Sequence, residues 1–252
     1  MRTIVTRMLL STVLSFVLIA PCVAANSLLL WPIYPTITAD KKATSVWIEN
    51  KGRDDAYLQV RIFRWEQHNG QDTYTVQNQV IATPPFVQIP GGQKQLVRVL
   101  VQANIPAGQE SAYRIIIDEL PPAQPPMQVE ETMAMAVKIR MRYSLPLFIY
   151  GNGLAAKPTM NADEDHWKDL QAQFVTENKK VFIRITNRGL RTVRLVDVQL
   201  ETPGLQTKPL MPGLAGYIMP GQFKQWPVSR PISAKPSISA SIEGKRSAIA
   251  LL

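Results

Sequence analysis

The chain is 252 residues long, carries a formal charge of +9, and holds 20 prolines against a single cysteine. Prolines spread along the whole length exclude a protein of long helices, because each removes a backbone donor and fixes φ. One cysteine excludes a disulfide framework, a thiol redox pair and a cysteine-ligated metal centre.

The first element is an export signal. Arg2 and Arg7 lead into an apolar run, MLLSTVLSFVLIA at 8–20, and the small residues Val23 and Ala25 precede a cut ahead of Asn26. The run falls short of the roughly 20 apolar residues that a spanning helix needs. Residues 1–25 are therefore expected to be a signal peptide, removed together with Cys22. Pro21 makes Cys22 a poor lipidation site. An exported basic protein is expected to meet acidic protein or surface rather than nucleic acid. No stable membrane insertion is expected.

Short β-branched runs follow: VWIEN at 46–50, AYLQVRIFRW at 56–65, QLVRVLVQ at 95–102 and SAYRIIIDEL at 111–120. Their alternation predicts strands. Turn-forming stretches separate them, NKGRDD at 50–55, HNGQD at 68–72 and IPGGQ at 89–93. Many short strands at this spacing predict a β-sandwich. PPAQPP at 121–126 cannot supply a full ladder of donors and predicts a loop of stiff extended pieces. The longest expected strand runs from 127 to 143, and SLP at 144–146 is expected to end it. That puts an N-terminal domain at 26–144 and a C-terminal domain at 145–252. In the second domain, QAQFV at 171–175, VFIRITN at 181–187 and VRLVDVQL at 193–200 read as strands. A turn-rich stretch covers 212–228, and SISASIE at 237–243 and AIALL at 248–252 close the chain, the last tying the C-terminus into the second sheet. No strict internal repeat is evident.

The stretch MQVEETMAMAVKIRMRY, 127–143, alternates most cleanly. Met133, Met135, Val137, Ile139 and Met141 form one face; Thr132, Ala134, Ala136, Lys138, Arg140 and Arg142 form the other. An ordinary sandwich strand would bury the first face and solvate the second. An open edge strand would instead pair with a partner's backbone, its flexible methionines filling the partner's pockets. Its basic end could take a carboxylate. Such an edge is an aggregation hazard unless covered, so self-association of the strand is a further expectation.

Three segments resemble the periplasmic chaperones of the chaperone–usher pathway, the PapD-like family, closest in style to its archaic or alternative branch. SLLLWPIYPTI at 27–37 is similar to that branch's first strand. IATPPFVQIPGGQKQLVRV at 81–99 is similar to the family's run of ATPP, a PG turn and a strand carrying arginine. ESAYRIIIDELPP at 110–122 is similar to the strand and PP pair before its long loop. The resemblance implies an all-β protein of two immunoglobulin-like sandwiches with a cleft between them. It implies a periplasmic chaperone that lends a strand to incomplete pilus or fimbrial subunits and hands them to an outer-membrane usher. Carried onto this chain, the lending residues are Met133, Met135 and Val137, with Ile139 a further candidate. The family's carboxylate anchors are a first-strand arginine and a late lysine in the lending strand. Leu30, Trp31, Pro32 and Ile33 leave the first without a counterpart. Arg142, then Arg140 and Lys138, are candidates for the second.

Other chemistry has little footing. No nucleophile elbow, phosphate-binding loop or H-E-x-x-H motif occurs, so no enzyme, catalytic residue or cofactor is expected. His68 and His166 stand apart in sequence, and the acidic stretch 163–166 reads as a solvated loop rather than a metal site. Trp47 and Trp65 sit in strand patterns where core packing is expected. The alternative to a chaperone is a secreted β-sandwich with a structural, adhesive or glycan-binding role.

Overall fold

Alternation turns every second side chain of a strand to one face, and the strands of this chain use it to close two sandwiches over separate apolar cores. The computed structural model describes residues 28–121, 140–154, 166–201, 209–228, 236–242 and 244–252. Among these, regular structure is β-strand except for one 3-10 turn at His166–Asp169, as an all-β fold requires. No helix of the described residues is long and apolar enough to cross a membrane.

The first sandwich contains β1 (Leu28–Trp31), β2 (Thr36–Ile37), β3 (Ala43–Asn50), β4 (Ala56–His68), β5 (Gln71–Val76), β6 (Val80–Thr83), β7 (Phe86–Ile89), β8 (Lys94–Val101), β9 (Glu110–Leu120) and β10 (Arg142–Tyr150). One sheet has the order β1-β3-β8-β6; the other has β2-β10-β9-β4-β5, with β7 also on β4. Val46, Ile48, Val97 and Val99 of the first sheet meet Leu58, Val60, Ile115, Ile117, Leu145 and Leu147 of the second. After β1 the chain crosses between sheets, because β1 pairs with β3 whereas β2 pairs with β10. Strands β1 and β10 therefore border the same side of the sandwich.

The expected strand end at 144–146 is corrected. β10 continues to Tyr150 and pairs with β9 throughout, so the first sandwich extends beyond the expected boundary at Ser144. Proline is tolerated because its nitrogen faces away from β9. The Phe148 N–H points that way, donating to Pro35 O, and Pro146 lies two residues earlier in the same phase. A missing donor on an open edge costs no ladder bond.

The second sandwich contains β11 (Leu170–Glu177), β12 (Lys180–Asn187), β13 (Val193–Glu201), β14 (Pro209–Ile218), β15 (Phe223–Pro227), β16 (Ser237–Ile242) and β17 (Lys245–Leu251). They follow one path, β14-β13-β16-β17-β11-β12-β15. Its two ends, β14 and β15, are consecutive in the chain, so the sheet is rolled on itself around Leu170, Ile183, Ile185, Leu195 and Leu200. β17 joins β16 and β11, which ties in the C-terminus as expected.

A repeat hidden from the sequence reading emerges. IENKG at 48–52 and ITNRG at 185–189 share a buried asparagine. The Asn50 amide donates to Ile89 O and Asp54 O and accepts from Gly52 N–H. The Asn187 amide donates to Ile218 O and Arg191 O and accepts from Gly189 N–H. Each backbone also bridges a Pro-Gly turn, Asn50 to Gly92 and Gln93, Asn187 to Gly221 and Gln222. Each sandwich thus carries the same asparagine staple.

Candidate functional site

The site is built around β10. Register with β9 is unbroken from Arg142↔Asp118 to Tyr150↔Glu110. On its other side, among the described residues, β10 meets only β2, at Phe148 and Ile149. Among the described residues, 142–147 therefore present an open edge with backbone groups that no strand pairs. Inward-facing Leu145, Leu147 and Ile149 belong to the core, and Tyr143 packs on it. On the outward face Arg142 and Ser144 are exposed, while Phe148 and Tyr150 are buried at the junction with the second sandwich.

The mouth of β10 is held by β9. Asp118 accepts from Arg142 Nε and, at 2.6 Å, from Arg61 Nη2. Burial pushes the Asp118 carboxyl up, but the hydrogen bonds and charges of Arg142 and Arg61 outweigh it and leave it below the usual range. Next to it, Glu119 N–H donates to Met141 O at 3.0 Å. The Glu119 carboxylate accepts from Met141 N–H at 3.2 Å. Met141 itself is 45% exposed.

Further along the same face lies the junction of the sandwiches. Trp65, Ala112, Phe148 and Tyr150 from the first pack on Tyr217 and Met219 from the second. Trp65 meets Tyr217 edge-on, centroids 5.2 Å apart. The Arg114 guanidinium lies 3.8 Å from the Trp65 ring centroid and 5.0 Å from that of Tyr217. Arg194, on β13, lies 5.7 Å from the Tyr34 centroid. Burial, then the neighbouring Tyr34, pushes the Tyr217 hydroxyl up to about 12. Among the described residues neither Arg114 nor Arg194 is ion-paired, and the buried Nε of each lacks a hydrogen-bond partner. Each guanidinium is half-buried and lies against aromatic rings.

Polar straps flank the aromatic cluster. Buried Gln67 bonds the β14 backbone through both ends of its amide, and Asp72 beside it receives Lys224 at 3.4 Å. On the other side, the Glu110 carboxylate accepts from Thr192 N–H at 3.1 Å and from its hydroxyl. Burial pushes the Glu110 carboxyl up, and the Thr192 hydrogen bonds, Arg191 and Tyr150 offset this only in part.

Of the residues singled out from sequence, Arg140 and Arg142 stand together at the mouth of β10, both exposed. Met133, Met135, Val137, Ile139 and Lys138 lie outside the described residues. The sequence reading missed Arg114; its signal was a lone cation inside the apolar run YRIII at 113–117. The core expectation holds for Trp65 and is corrected for Trp47. Trp65 is buried, in the apolar cluster at the junction. Trp47 is half-buried and stacks on Trp31, centroids 6.2 Å apart, because both lie on the face of their sheet opposite core residues Leu30, Val46 and Ile48.

Residues 35–155 match the family model described as the pili and flagellar-assembly chaperone, PapD N-terminal domain. The chain is 30% identical to a chain of the crystal structure of the CsuC–CsuE chaperone–tip adhesion subunit pre-assembly complex from the archaic chaperone–usher Csu pili of Acinetobacter baumannii. That alignment covers 90% of this chain and 99% of the other, with a TM-score of 0.71. The fold is also similar to that of the Escherichia coli chaperone DraB, at 16% identity, TM-score 0.64 and coverage of 91% and 98%. Likewise the Pseudomonas aeruginosa CupB2 chaperone matches at 15% identity and TM-score 0.58, with coverage of 87% and 97%. A search of curated proteins returns no match.

Proposed function

The chain belongs to the pilus-assembly chaperones of the chaperone–usher pathway, and on that premise we propose that it captures incomplete pilus subunits in the periplasm by lending them the strand that leads into β10. The family is one of chaperones, not enzymes. The observation that carries the proposal is the open edge of β10 over 142–147. Inward residues there are odd-numbered, from Tyr143 to Ile149. The apolar row Met133, Met135, Val137, Ile139 and Met141 is odd-numbered too, so the sequence runs in phase with the strand it enters.

A strand lent this way offers backbone pairing that is indifferent to the partner's sequence, while its side chains fill the partner's groove. Each large side chain so buried contributes roughly 1.5–3 kcal/mol. That is enough to keep an unfinished fold from aggregating until an outer-membrane usher receives it. For the subunit's terminal carboxylate, Arg142, Arg140 and Lys138 remain candidates near the strand. Arg142 already has Asp118. Arg114, half-buried at the junction and without an ion-pair partner among the described residues, takes the place of the missing first-strand anchor, with Arg194 on the second sandwich.

The test is recovery from periplasmic extract of cells expressing the neighbouring genes, with tagged mature protein as bait. A one-to-one partner with an immunoglobulin-like sequence lacking a final strand is expected. Replacing Met133, Met135 and Val137 together with serine should leave circular dichroism unchanged and abolish that recovery. A folded triple variant that still retrieves the subunit would remove the lending assignment.

A further inference from the structure

A strand with one open edge has to stay attached along the other when a partner pulls on it. The ladder to β9 does most of this, but ladders fray at their ends, and the end that matters is the start of β10 at Arg142. β9 stops at Leu120, and Pro121 beyond it has no N–H to continue the ladder. The last place at which β9 can hold β10 is thus opposite Asp118 and Glu119.

Side chains reinforce the backbone there. Asp118 lies directly across from Arg142. Its side chain is only 13% exposed, and it accepts from Arg142 on one neighbouring strand and Arg61 on the other. A carboxylate shared by two guanidiniums across three strands ties β10 to β9 and β4 at once. Glu119 adds the two bonds to Met141. Downstream, residues 143–147 have no comparable charged tie, and core burial of Leu145 and Leu147 takes over.

We propose that Asp118 is a positioning residue: it clamps the mouth of β10 to β9 and β4 so that the edge at 142–147 is held in one register, ready for a partner. This rests on the capture role proposed above. Loss of the clamp lets the first residues of β10 peel from β9, and a peeled strand presents no fixed edge.

The test uses the full mature chain with Asp118→Asn and, separately, Arg142→Gln, whose side chain is 66% exposed. Amide exchange at Tyr143 and Leu145, whose N–H groups face β9, should quicken by about tenfold in both variants, with Leu147, Ile149 and the second sandwich unchanged. Unchanged exchange at Tyr143 and Leu145, or quickening spread over both sandwiches, overturns the clamp. In the second arm, affinity for the subunit recovered by the wild-type chain should fall about tenfold for Asp118→Asn, a difference of about 1.4 kcal/mol. Faster exchange with undiminished affinity would make the tie structural and overturn its positioning role. A wild-type chain that retains no subunit would defeat the capture proposal itself, which the exchange arm alone would not.

Discussion

The amide of Gln67 acts as a rung between sandwiches: its Nε2 donates to Tyr217 O at 2.7 Å, and its Oε1 accepts from Met219 N–H at 2.9 Å. Only 3% of Gln67 is exposed, so water does not compete for these groups. Gln67→Leu keeps the volume and strands a carbonyl and an amide in the junction. At ~1–3 kcal/mol for each unsatisfied group, docking should weaken by about 2–6 kcal/mol. Small-angle scattering is expected to give a larger, broader radius of gyration, with both sandwiches still folded by circular dichroism. An unchanged scattering profile would mean that the aromatic cluster alone fixes the junction.

Glu110, on the other side of that cluster, makes docking depend on pH. Burial holds its folded pKa above the ordinary carboxylate value, so the folded state keeps a proton that the unfolded state releases. Stability from this group is therefore complete below the ordinary value and is lost as pH rises through the folded one. Asp118 works in the opposite sense and in a lower window. Its folded pKa is depressed, burial being outweighed by Arg142 and Arg61, and its contribution disappears as pH falls below the ordinary value. In Glu110→Gln the amide keeps partners on Thr192 but no longer titrates. Denaturation midpoints should decline with rising pH just above the ordinary carboxylate range in the wild type and lose that slope in the variant. Parallel profiles would sink the assignment.

The sandwich architecture was legible because alternation is a local signal. AYLQVRIFRW, SAYRIIIDEL and VRLVDVQL all lie within strands of the structure. What stayed hidden depends on neighbours. Pro146 reads as a strand end until the absence of a partner on its nitrogen side is known. Trp65 is core, as read, but alternation separates two faces without saying which of them a second domain covers. Arg114 is one cation among 28 basic residues until its place between Trp65 and Tyr217 is known.

Asn50 and Asn187 offer a matched pair for stability. Each is fully buried, and each amide makes three hydrogen bonds that hold a loop against a strand end. Replacing either with alanine leaves buried backbone groups unpaired, so each should cost about 2–4 kcal/mol. Because the two staples lie in different sandwiches and share no partner, the double variant should show additive losses. Calorimetry on the two single variants and the double would reveal this. A neutral Asn187→Ala would mean that the second staple is redundant with the β12–β15 pairing.

Arg114 and Arg142 compete for the role of principal carboxylate anchor, and their surroundings predict the winner. Arg142 is 66% exposed and shares Asp118 with Arg61, so its charge is already answered and screened. Arg114 is half-buried against two aromatic rings, with no carboxylate among the described residues. A hydrogen bond to a charged group in such a setting contributes about 1.5–3 kcal/mol, or roughly ten- to a hundredfold in affinity. Arg114→Ala should therefore weaken retention of the captured subunit by that factor; Arg142→Ala, which also opens the clamp on β10, should weaken it about tenfold but leave its sensitivity to the carboxylate intact. Arg114→Lys keeps the charge without the flat stacking face and should fall between wild type and alanine. The decisive comparison adds a subunit whose terminal carboxylate is amidated. If Arg114 grips that carboxylate, the wild type should lose affinity for the amidated subunit, and Arg114→Ala should bind both forms alike. Equal sensitivity to amidation in wild type and Arg114→Ala would return the anchor to Arg142 and its neighbours.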